Sequence, residues 1–276
     1  FLSNALIAAP QLIVQPSAGR SPYIEMITGA QNSVKMTVYA LDDPTIIQAI
    51  SLAGQKAQVL YEPNQFSHDG KAADSDVANI MSNLTKEGVQ VAPFSCPFAQ
   101  QLHAKIIIQD KAKVLIGTGN FDKESFDGVD GQVPAARDFA VILDDPQIIQ
   151  DVTEMFEADW NHTSYTSTNP QLIWGPIKQR EKLVELINRA NVSLHIYQQD
   201  ITDDGIFNAI LAAIKRGVKV SLIMMPHPFN KLKDYNKPHQ KAFVAAGGQL
   251  KMMTELYQHA KILLIDYKKK NQQVFI

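Results

Sequence analysis

The chain carries one eight-residue pattern twice, and this repeat constrains its fold more than any other feature. Residues 103–110 and 259–266 both read H-x-K-x-x-x-x-D. A single copy of so short a pattern is weak evidence, but chance does not explain two copies in similar surroundings. The pair therefore indicates a duplicated chemical motif.

The segments before the two copies repeat in the same order, which indicates an internal duplication. Residues 33–40 and 191–198 read as strands rich in β-branched and apolar residues, each preceded by a helix, and this alignment sets His195 opposite Thr37. Each half then continues with a helix, a strand, a second helix and a strand that begins after a glycine. These are helices 44–50 and 204–214, strands 57–61 and 218–224, and strand starts at Gly88 and Gly247.

Alternating helices and strands predict an α/β fold in which each half contains a mostly parallel, buried sheet. The polar segment 161–170, which ends at Pro170, is the predicted linker. We expect an N-terminal half in residues 1–165 and a C-terminal half in residues 171–276.

Composition narrows the class of protein. With 276 residues, 45% of them apolar, the chain can bury one large core or two moderate ones. The single cysteine, Cys96, rules out an internal disulfide framework and is too few for a structural zinc site. A formal charge of −2 gives no global attraction for a polyanion, so nucleic acid would need a local basic patch. No apolar run is long enough to span a bilayer, and a leader removed before Phe1 would leave no trace, so localisation stays open.

The two motifs resemble those of the phospholipase D superfamily. The first copy is followed by Gly117-Thr118-Gly119-Asn120, which is similar to the G-[ST]-x-N element of that family, and then by an acidic residue, Asp138. The resemblance covers nearly the whole chain. It implies two similar α/β sandwich halves with pseudo-twofold symmetry and an active site at their interface.

The resemblance also implies site residues and roles. His103 is expected to be the nucleophile that forms a phosphohistidine, and His259 the acid that protonates the leaving alcohol. Two lysines and Asn120 would stabilise the phosphoryl oxygens, and Asp138 would orient a catalytic histidine through its second ring nitrogen. No cofactor or metal is required. The full catalytic set is His103, Lys105, Asp110, Asn120, His259, Lys261 and Asp266, with Asp138 in support.

Strand geometry separates the aspartates from the other motif residues. In a regular strand His103 and Lys105 project to one face, whereas Asp110 lies an odd number of positions away and projects to the other. The same holds in the second copy. We therefore expect Asp110 and Asp266 to anchor a neighbouring turn or a core.

Other candidate residues favour ordinary packing. His195 and the histidines at 68, 162, 227 and 239 lack the repeated context and are interpreted as core or surface residues. Phe94, Phe98 and Tyr257 suit either an apolar entrance for acyl chains or packing, and packing is the favoured interpretation. Cys96 has no base beside it and is expected to be inert.

The second copy differs from the first in the segment after its aspartate. Beyond Asp266 the sequence reaches Ile276 without a counterpart of the segment 117–120. Because residues 274–276 repeat 114–116, we expect the natural chain to continue with a G-[ST]-x-N turn and a closing helix.

Three functions are compatible with the resemblance. The first is a phosphodiesterase that hydrolyses or transfers phosphatidyl groups, with a phospholipid or another phosphodiester as substrate and peripheral membrane contact. The second is a DNA or RNA phosphodiesterase. The third is a non-catalytic scaffold, favoured only if the second asparagine element is truly absent. The duplication predicts a monomer that contains both halves of the site.

Overall fold

The computed structural model describes residues 9–65, 76–97, 99–129, 132–228 and 235–276. His68 and Phe98 lie outside the described residues. The described helices are α1 Ser21–Thr28, α2 Pro44–Ala53, α3 Asp76–Lys86, α4 Lys123–Asp127, α5 Pro146–Trp160, α6 Gln179–Arg189, α7 Asp204–Lys215 and α8 Lys237–Ala245. The strands of the first half are β1 Gln11–Val14, β2 Val34–Val38, β3 Ala57–Tyr61, β4 Gln90–Pro93, β5 Ile106–Gln109, β6 Lys113–Gly117, β7 Ala136–Arg137 and β8 Phe139–Leu143. Those of the second are β9 Ser193–Tyr197, β10 Lys219–Met224, β11 Gln249–Met252, β12 Tyr257–Gln258, β13 Ile262–Ile265 and β14 Gln273–Phe275.

The helices begin where the sequence supplies capping groups. Asp43 accepts hydrogen bonds from two backbone N–H groups at the start of α2, and Asp145 does the same for α5. Both helices have proline at their first position, where its missing N–H costs nothing. Asp203 caps α7 in the second half, at the place where Asp43 caps α2 in the first.

Each half is built around one sheet. The first sheet has the strand order β1-β8-β6-β5-β2-β3-β4, and the second has the order β11-β10-β9-β13-β14. In the first half, apolar side chains of α1, α2 and α3 pack on one face of the sheet and those of α5 on the other. The second half buries α6, α7 and α8 against its own sheet. The expected α/β sandwich halves are therefore confirmed.

The sheets are mixed, so the prediction of mostly parallel sheets is wrong. β2, β3 and β4 run parallel, as do β9, β10 and β11. The motif strands β5 and β13 run antiparallel to β2 and β9. The reason lies in the connections: helices α2 and α3 carry the chain across between parallel strands, whereas a short turn joins β5 to β6 and permits only an antiparallel pair.

The repeat alignment inferred from the sequence is shifted by two residues in the first strand. Lys35 pairs with Ile108 in the first half, and His195 pairs with Leu264 in the second. Because residues 108 and 264 occupy the same place in the two motifs, His195 corresponds to Lys35 and not to Thr37. The match of β14 with β6 holds, since Val274 pairs with Leu264 just as Val114 pairs with Ile108.

The polar segment between the halves has no helix or strand, yet its side chains bind the first half. Residues 161–178 connect α5 to α6. Tyr165, Ser167 and Trp174 all donate hydrogen bonds to the buried carboxylate of Asp151 on α5. This contact holds the connection against the N-terminal half. Among the described helices, none combines the length and the apolar character needed to cross a bilayer.

Candidate active site

The histidine and lysine of each motif lie just before the motif strand and not within it. β5 begins at Ile106 and β13 at Ile262, so the prediction that both pairs occupy regular strand positions is wrong. Residues 103–105 and 259–261 form the amino-terminal approach to these strands.

A short parallel pairing of β7 with β12 joins the two halves at this point. Ala136 is opposite Tyr257 and Arg137 is opposite Gln258. The N–H groups of residues 259 and 260 also donate to the carbonyl of Arg137. The second motif is therefore hydrogen-bonded directly to the segment of the first half that carries Asp138.

Asp138 holds His259 from across this junction. The Nδ1 atom of His259 lies 3.0 Å from both carboxylate oxygens of Asp138, which is 1% exposed. Burial alone would raise the pKa of Asp138, but His259 and Lys261 outweigh it and keep the pKa below its ordinary value. The resemblance implied that Asp138 orients a catalytic histidine, and in the structure the histidine that Asp138 contacts is His259 of the other half.

Two residues to which the sequence assigned no role of their own fix this carboxylate. The hydroxyl of Thr118 donates a hydrogen bond of 2.6 Å to Asp138. A Cβ atom at Gly119 would lie only 2.9 Å from a carboxylate oxygen of Asp138, so glycine is needed for the close approach. Both belong to the G-T-G-N element at 117–120, which was recognisable in the sequence, although the sequence did not show that these two residues contact Asp138.

His103 has a different set of neighbours. Its Nδ1 atom lies 3.2 Å from Nζ of Lys105, and the same Nζ donates to the backbone carbonyl of His103 at 2.7 Å. The ring of Tyr39, which follows β2, lies 4.5 Å from the imidazole between centroids, and Nζ of Lys105 sits 5.1 Å above it. Tyr39 was missed because nothing in its local sequence distinguishes it from a core tyrosine.

The ammonium groups of both motif lysines are buried. Lys105 is 3% exposed, and its pKa is lowered well below its ordinary value by burial and by the charge of Lys261. Burial lowers the pKa of Lys261 to about 8. Its Nζ atom has no hydrogen-bond partner in the part of the chain that the structure describes. Two such ammonium groups suit an anionic ligand with several oxygen atoms.

Both imidazoles favour the neutral form. Part of the His103 side chain is open to solvent, yet surrounding protein atoms and the charges of Lys105, Lys261 and His259 lower its pKa. Burial and Lys261 lower the pKa of His259, whereas Asp138 opposes the shift. These mutual effects show that the histidine and lysine of both motifs form one cluster at the junction of the halves.

Asn120 lies beside the second histidine. A narrow cavity of about 20 Å³, roughly the space of one water molecule, is lined by Asn120, Asp122, Tyr257 and His259 among others. The side-chain oxygen of Asn120 is buried with no hydrogen-bond partner among the described residues. The first half thus places an amide, as well as Asp138, next to His259.

Asp110 and Asp266 are not brought into this cluster, although the resemblance implied a catalytic set that includes them. Each follows its motif strand, seven residues and therefore roughly 20 Å of extended chain from the histidine. Asp110 accepts from the N–H groups of residues 31, 32 and 33 at 2.7–2.8 Å. Asp266 accepts from those of 191, 192 and 193. The expectation that they anchor a turn is confirmed.

The other candidates are occupied by ordinary contacts. The ring of His239 bonds the carbonyl of Ile201 at 2.8 Å, and His162 bonds that of Ser95 at 3.2 Å. Phe94 packs against the core beside α5, and Tyr257 is buried and accepts a hydrogen bond from Gln199. Among the described residues, no group of three or more His, Cys, Asp or Glu side chains is arranged to hold a metal ion.

Comparisons with known proteins agree with this geometry. The family described as "Cardiolipin synthase, PLD-like domain" matches residues 23–160 and 183–276. Cardiolipin synthase 1 of Bacillus cereus is 24% identical over 176 residues, which cover 61% of this chain and 32% of that protein. The chain therefore spans about a third of the length of this curated relative.

Two solved structures share the fold. Polyphosphate kinase from Porphyromonas gingivalis has a TM-score of 0.69 at 16% identity, over 97% of this chain and 45% of that one. The phosphatidylserine synthase of Haemophilus influenzae Rd KW20 has a TM-score of 0.66 at 10% identity, over 94% and 77%. At these identities the likeness concerns the fold alone. The family match in both halves, with two H-x-K motifs meeting at their junction, makes the chain a member of the phospholipase D superfamily.

Proposed function

We propose that this protein is a phospholipase D-type phosphodiesterase that hydrolyses or transfers phosphatidyl groups through a phosphohistidine. Phosphodiester chemistry is the property of the superfamily, and the phosphatidyl substrate is the finer proposal. The proposed reaction rests on one observation: Asp138 of one half is hydrogen-bonded to His259 of the other, beside the buried ammonium groups of Lys105 and Lys261.

The first step joins the phosphatidyl group to His103. Neutral His103 attacks phosphorus through a ring nitrogen, a new N–P bond forms, and the P–O bond to the leaving alcohol breaks. His259 must carry a proton at this step and gives it to that oxygen; Asp138 stabilises the imidazolium against burial and the charge of Lys261. Lys105 and Lys261 place positive charge on the non-bridging oxygens, where charge builds up in the transition state.

The second step releases the phosphatidyl group. Neutral His259 takes a proton from water or from an acceptor alcohol, the resulting oxygen attacks phosphorus, and the N–P bond breaks to restore neutral His103. Hydrolysis and transfer differ only in which hydroxyl enters. No group outside the chain is needed to balance protons or electrons.

Two observations favour a lipid over a nucleic acid. The family that matches both halves is described by a cardiolipin synthase, and so is the curated relative. The chain has a net charge of −2, which does not attract a polyanion over long range. Both points concern substrate choice and leave the chemistry unchanged.

A side-by-side assay tests this proposal. The full-length protein is offered phosphatidylglycerol, phosphatidylcholine and single-stranded DNA, with and without glycerol as an acceptor. We expect release of a lipid head group or formation of a new phosphatidyl ester, and none with a His103→Ala variant. Cleavage of DNA alone would assign the protein to the nucleases, and inactivity on all three with a folded protein would favour a scaffold.

A further inference from the structure

The turn that follows the second motif strand is longer than its equivalent in the first half. β5 is joined to β6 by three residues, 110–112, whereas β13 is joined to β14 by seven, 266–272. The extra length carries the sequence Tyr267-Lys268-Lys269-Lys270. Since both halves close the same hairpin, the added residues are not needed to form the sheet.

This basic turn is fixed in place by hydrogen bonds. The backbone N–H of Tyr267 donates to the Ser193 hydroxyl, and that of Lys269 donates to the carbonyl of Asp266. The side chain of Asn271 donates to the Asp266 carboxylate at 2.9 Å. The lysines therefore extend from a built turn, and their side chains are exposed.

A groove of about 460 Å³ lies beside the turn. Its lining consists of the guanidinium-bearing Arg189 at the end of α6, one isoleucine and four carboxamide side chains: Ile265, Asn191, Asn271, Gln272 and Gln273. No carboxylate lines it. A volume of this size is in the range of small-molecule sites, about 300–1,000 Å³.

The charges around the groove have no carboxylate partner among the described residues, although Nζ of Lys268 lies 5.2 Å from the ring centroid of Tyr267. In the described part of the chain, neither Arg189 nor any of the three lysines forms an ion pair, and Glu185 one turn earlier on α6 does not reach Arg189. The carboxylate of Asp266 is 0% exposed and already accepts several N–H donors. Arg189 and the three lysines are all exposed, on a protein whose net charge is −2.

The equivalent place in the first half is closed. Gly29 stands where Arg189 stands in the second half, because the register of the two sheets makes Ala30 and Ala190 equivalent. The side chain of Gln109 fills the space, with its Nε2 atom 2.7 Å from the position a Cβ of Gly29 would take. The groove is therefore a feature of one half and does not follow from the shared fold.

We propose that this groove is a second anion site, which binds a phosphate-bearing molecule at the end of β13 remote from the catalytic cluster. The Arg189 fork suits phosphate oxygens in bidentate geometry, and the carboxamides suit hydroxyl or further phosphate oxygens. The ligand is a phospholipid head group or a soluble phosphate, and the turn lysines raise its local concentration. This inference does not depend on the reaction at the cleft.

The test titrates inorganic phosphate into the full-length protein at low ionic strength and follows side-chain amide NMR signals of Asn271 and Gln272. We expect saturable shifts that chloride at the same ionic strength does not cause. Arg189→Gln should weaken this binding about tenfold or more, while the matched Lys113→Gln variant, which loses one charge from the first-half hairpin, should not. Phosphate-induced changes in the NMR signals of the catalytic cluster should persist in the Arg189→Gln variant, and they serve as an internal control.

A second arm separates the sources of the phosphate. The ligand is a lipid head group if the protein sediments with phosphatidylglycerol vesicles but not with phosphatidylcholine alone. This sedimentation should be lost when residues 268–270 are changed to glutamine. Binding of free phosphate without vesicle binding assigns a soluble ligand. The inference is overturned if neither probe binds, or if Arg189→Gln and Lys113→Gln weaken binding equally. Because both arms measure binding, their failure is distinct from failure of the proposed activity.

Discussion

His103 and His259 come from copies of one motif, yet their surroundings differ. His259 is held at Nδ1 by the buried carboxylate of Asp138, which raises the pKa of the ring against the lowering by burial and by Lys261. The pKa of His103 is lowered by burial and by the charges of Lys105 and Lys261, and no carboxylate opposes this shift among the causes that act on it. The carboxylate contact is the difference between the two histidines on which the proposed acid role of His259 rests.

Replacing Asp138 should impair the acid specifically. Asp138→Asn keeps the shape of the residue but removes the charge that stabilises the imidazolium of His259. We expect turnover to fall about 10²-fold or more on a substrate with an alkyl leaving group, and far less on a nitrophenyl diester that needs no acid. Rates on the two substrates measure the difference, and equal losses on both would show that Asp138 does not act through His259.

The low pKa of Lys261 should appear in anion binding. Because burial lowers this pKa to about 8, the ammonium charge is present below that pH and is lost as the pH rises through it. Affinity for tungstate, an oxyanion whose own charge stays constant in this range, should therefore weaken above about pH 8. Lys261→Arg stays protonated and should remove the step, so an unchanged step in that variant would assign it to another group.

The burial of the Lys261 ammonium group should also lower the free energy of unfolding. The folded-state pKa of Lys261 lies below its ordinary value, so the penalty is fully present below about pH 8 and disappears as the pH rises towards 10.5. Lys261→Met should raise the free energy of unfolding by about 1–3 kcal/mol at pH 7 while abolishing activity. Denaturant unfolding at pH 7 and pH 10 checks the sign, and a destabilised Met variant at pH 7 would contradict it.

At the scale of the elements, the motif aspartates connect strand ends. Asp110 and Asp266 both have φ near +50°, at 52° and 51°, and each ties the end of its motif strand to the start of the neighbouring β2 or β9. A short side chain that accepts several N–H bonds stabilises such a left-handed residue. The last residue of the motif therefore serves the sheet.

Changing Asp110 should separate stability from chemistry. Asp110→Ala leaves three N–H donors without their acceptor and should lower the free energy of unfolding by about 1–3 kcal/mol. Because its pKa is lowered, this stabilisation is present above about pH 4 and is lost at more acid pH. His103→Ala should instead lower turnover at least about 10²-fold with nearly unchanged melting. An Asp110→Ala protein with full stability and no activity would contradict this division.

The order of elements was predictable and their registers were not. The strand at 57–61 and the helix starts at Pro44 and Asp204 are as predicted, because capping residues and apolar spacing are local signals. The sequence alignment set His195 opposite Thr37, two residues from its true counterpart Lys35. The error arose because a strand pattern does not define its register until the partner strand is known. The basic turn at 267–270 was visible in the sequence, but its groove needed the packing of α6.

At the scale of the whole molecule, two repeated halves make one site through a small junction. β7 and β12 contribute only two residues each, and they place Asp138 and Asn120 of the first half beside His259 of the second. The resemblance implied that the site lies at the interface of the halves, but nothing in the sequence predicted this strand pairing. The residues that form it are distant in the chain, and only the folded chain brings them together.

The central claim, one site shared by two histidines with unequal roles, is tested most directly by trapping the covalent intermediate. The full-length enzyme is quenched during turnover of a labelled phosphodiester, and the phosphorylated peptide is mapped by mass spectrometry. The account predicts label on His103, and accumulation of that label in an enzyme whose His259 is replaced by alanine when the leaving group needs no acid. Label on His259 alone, or turnover without label on either histidine, would contradict it.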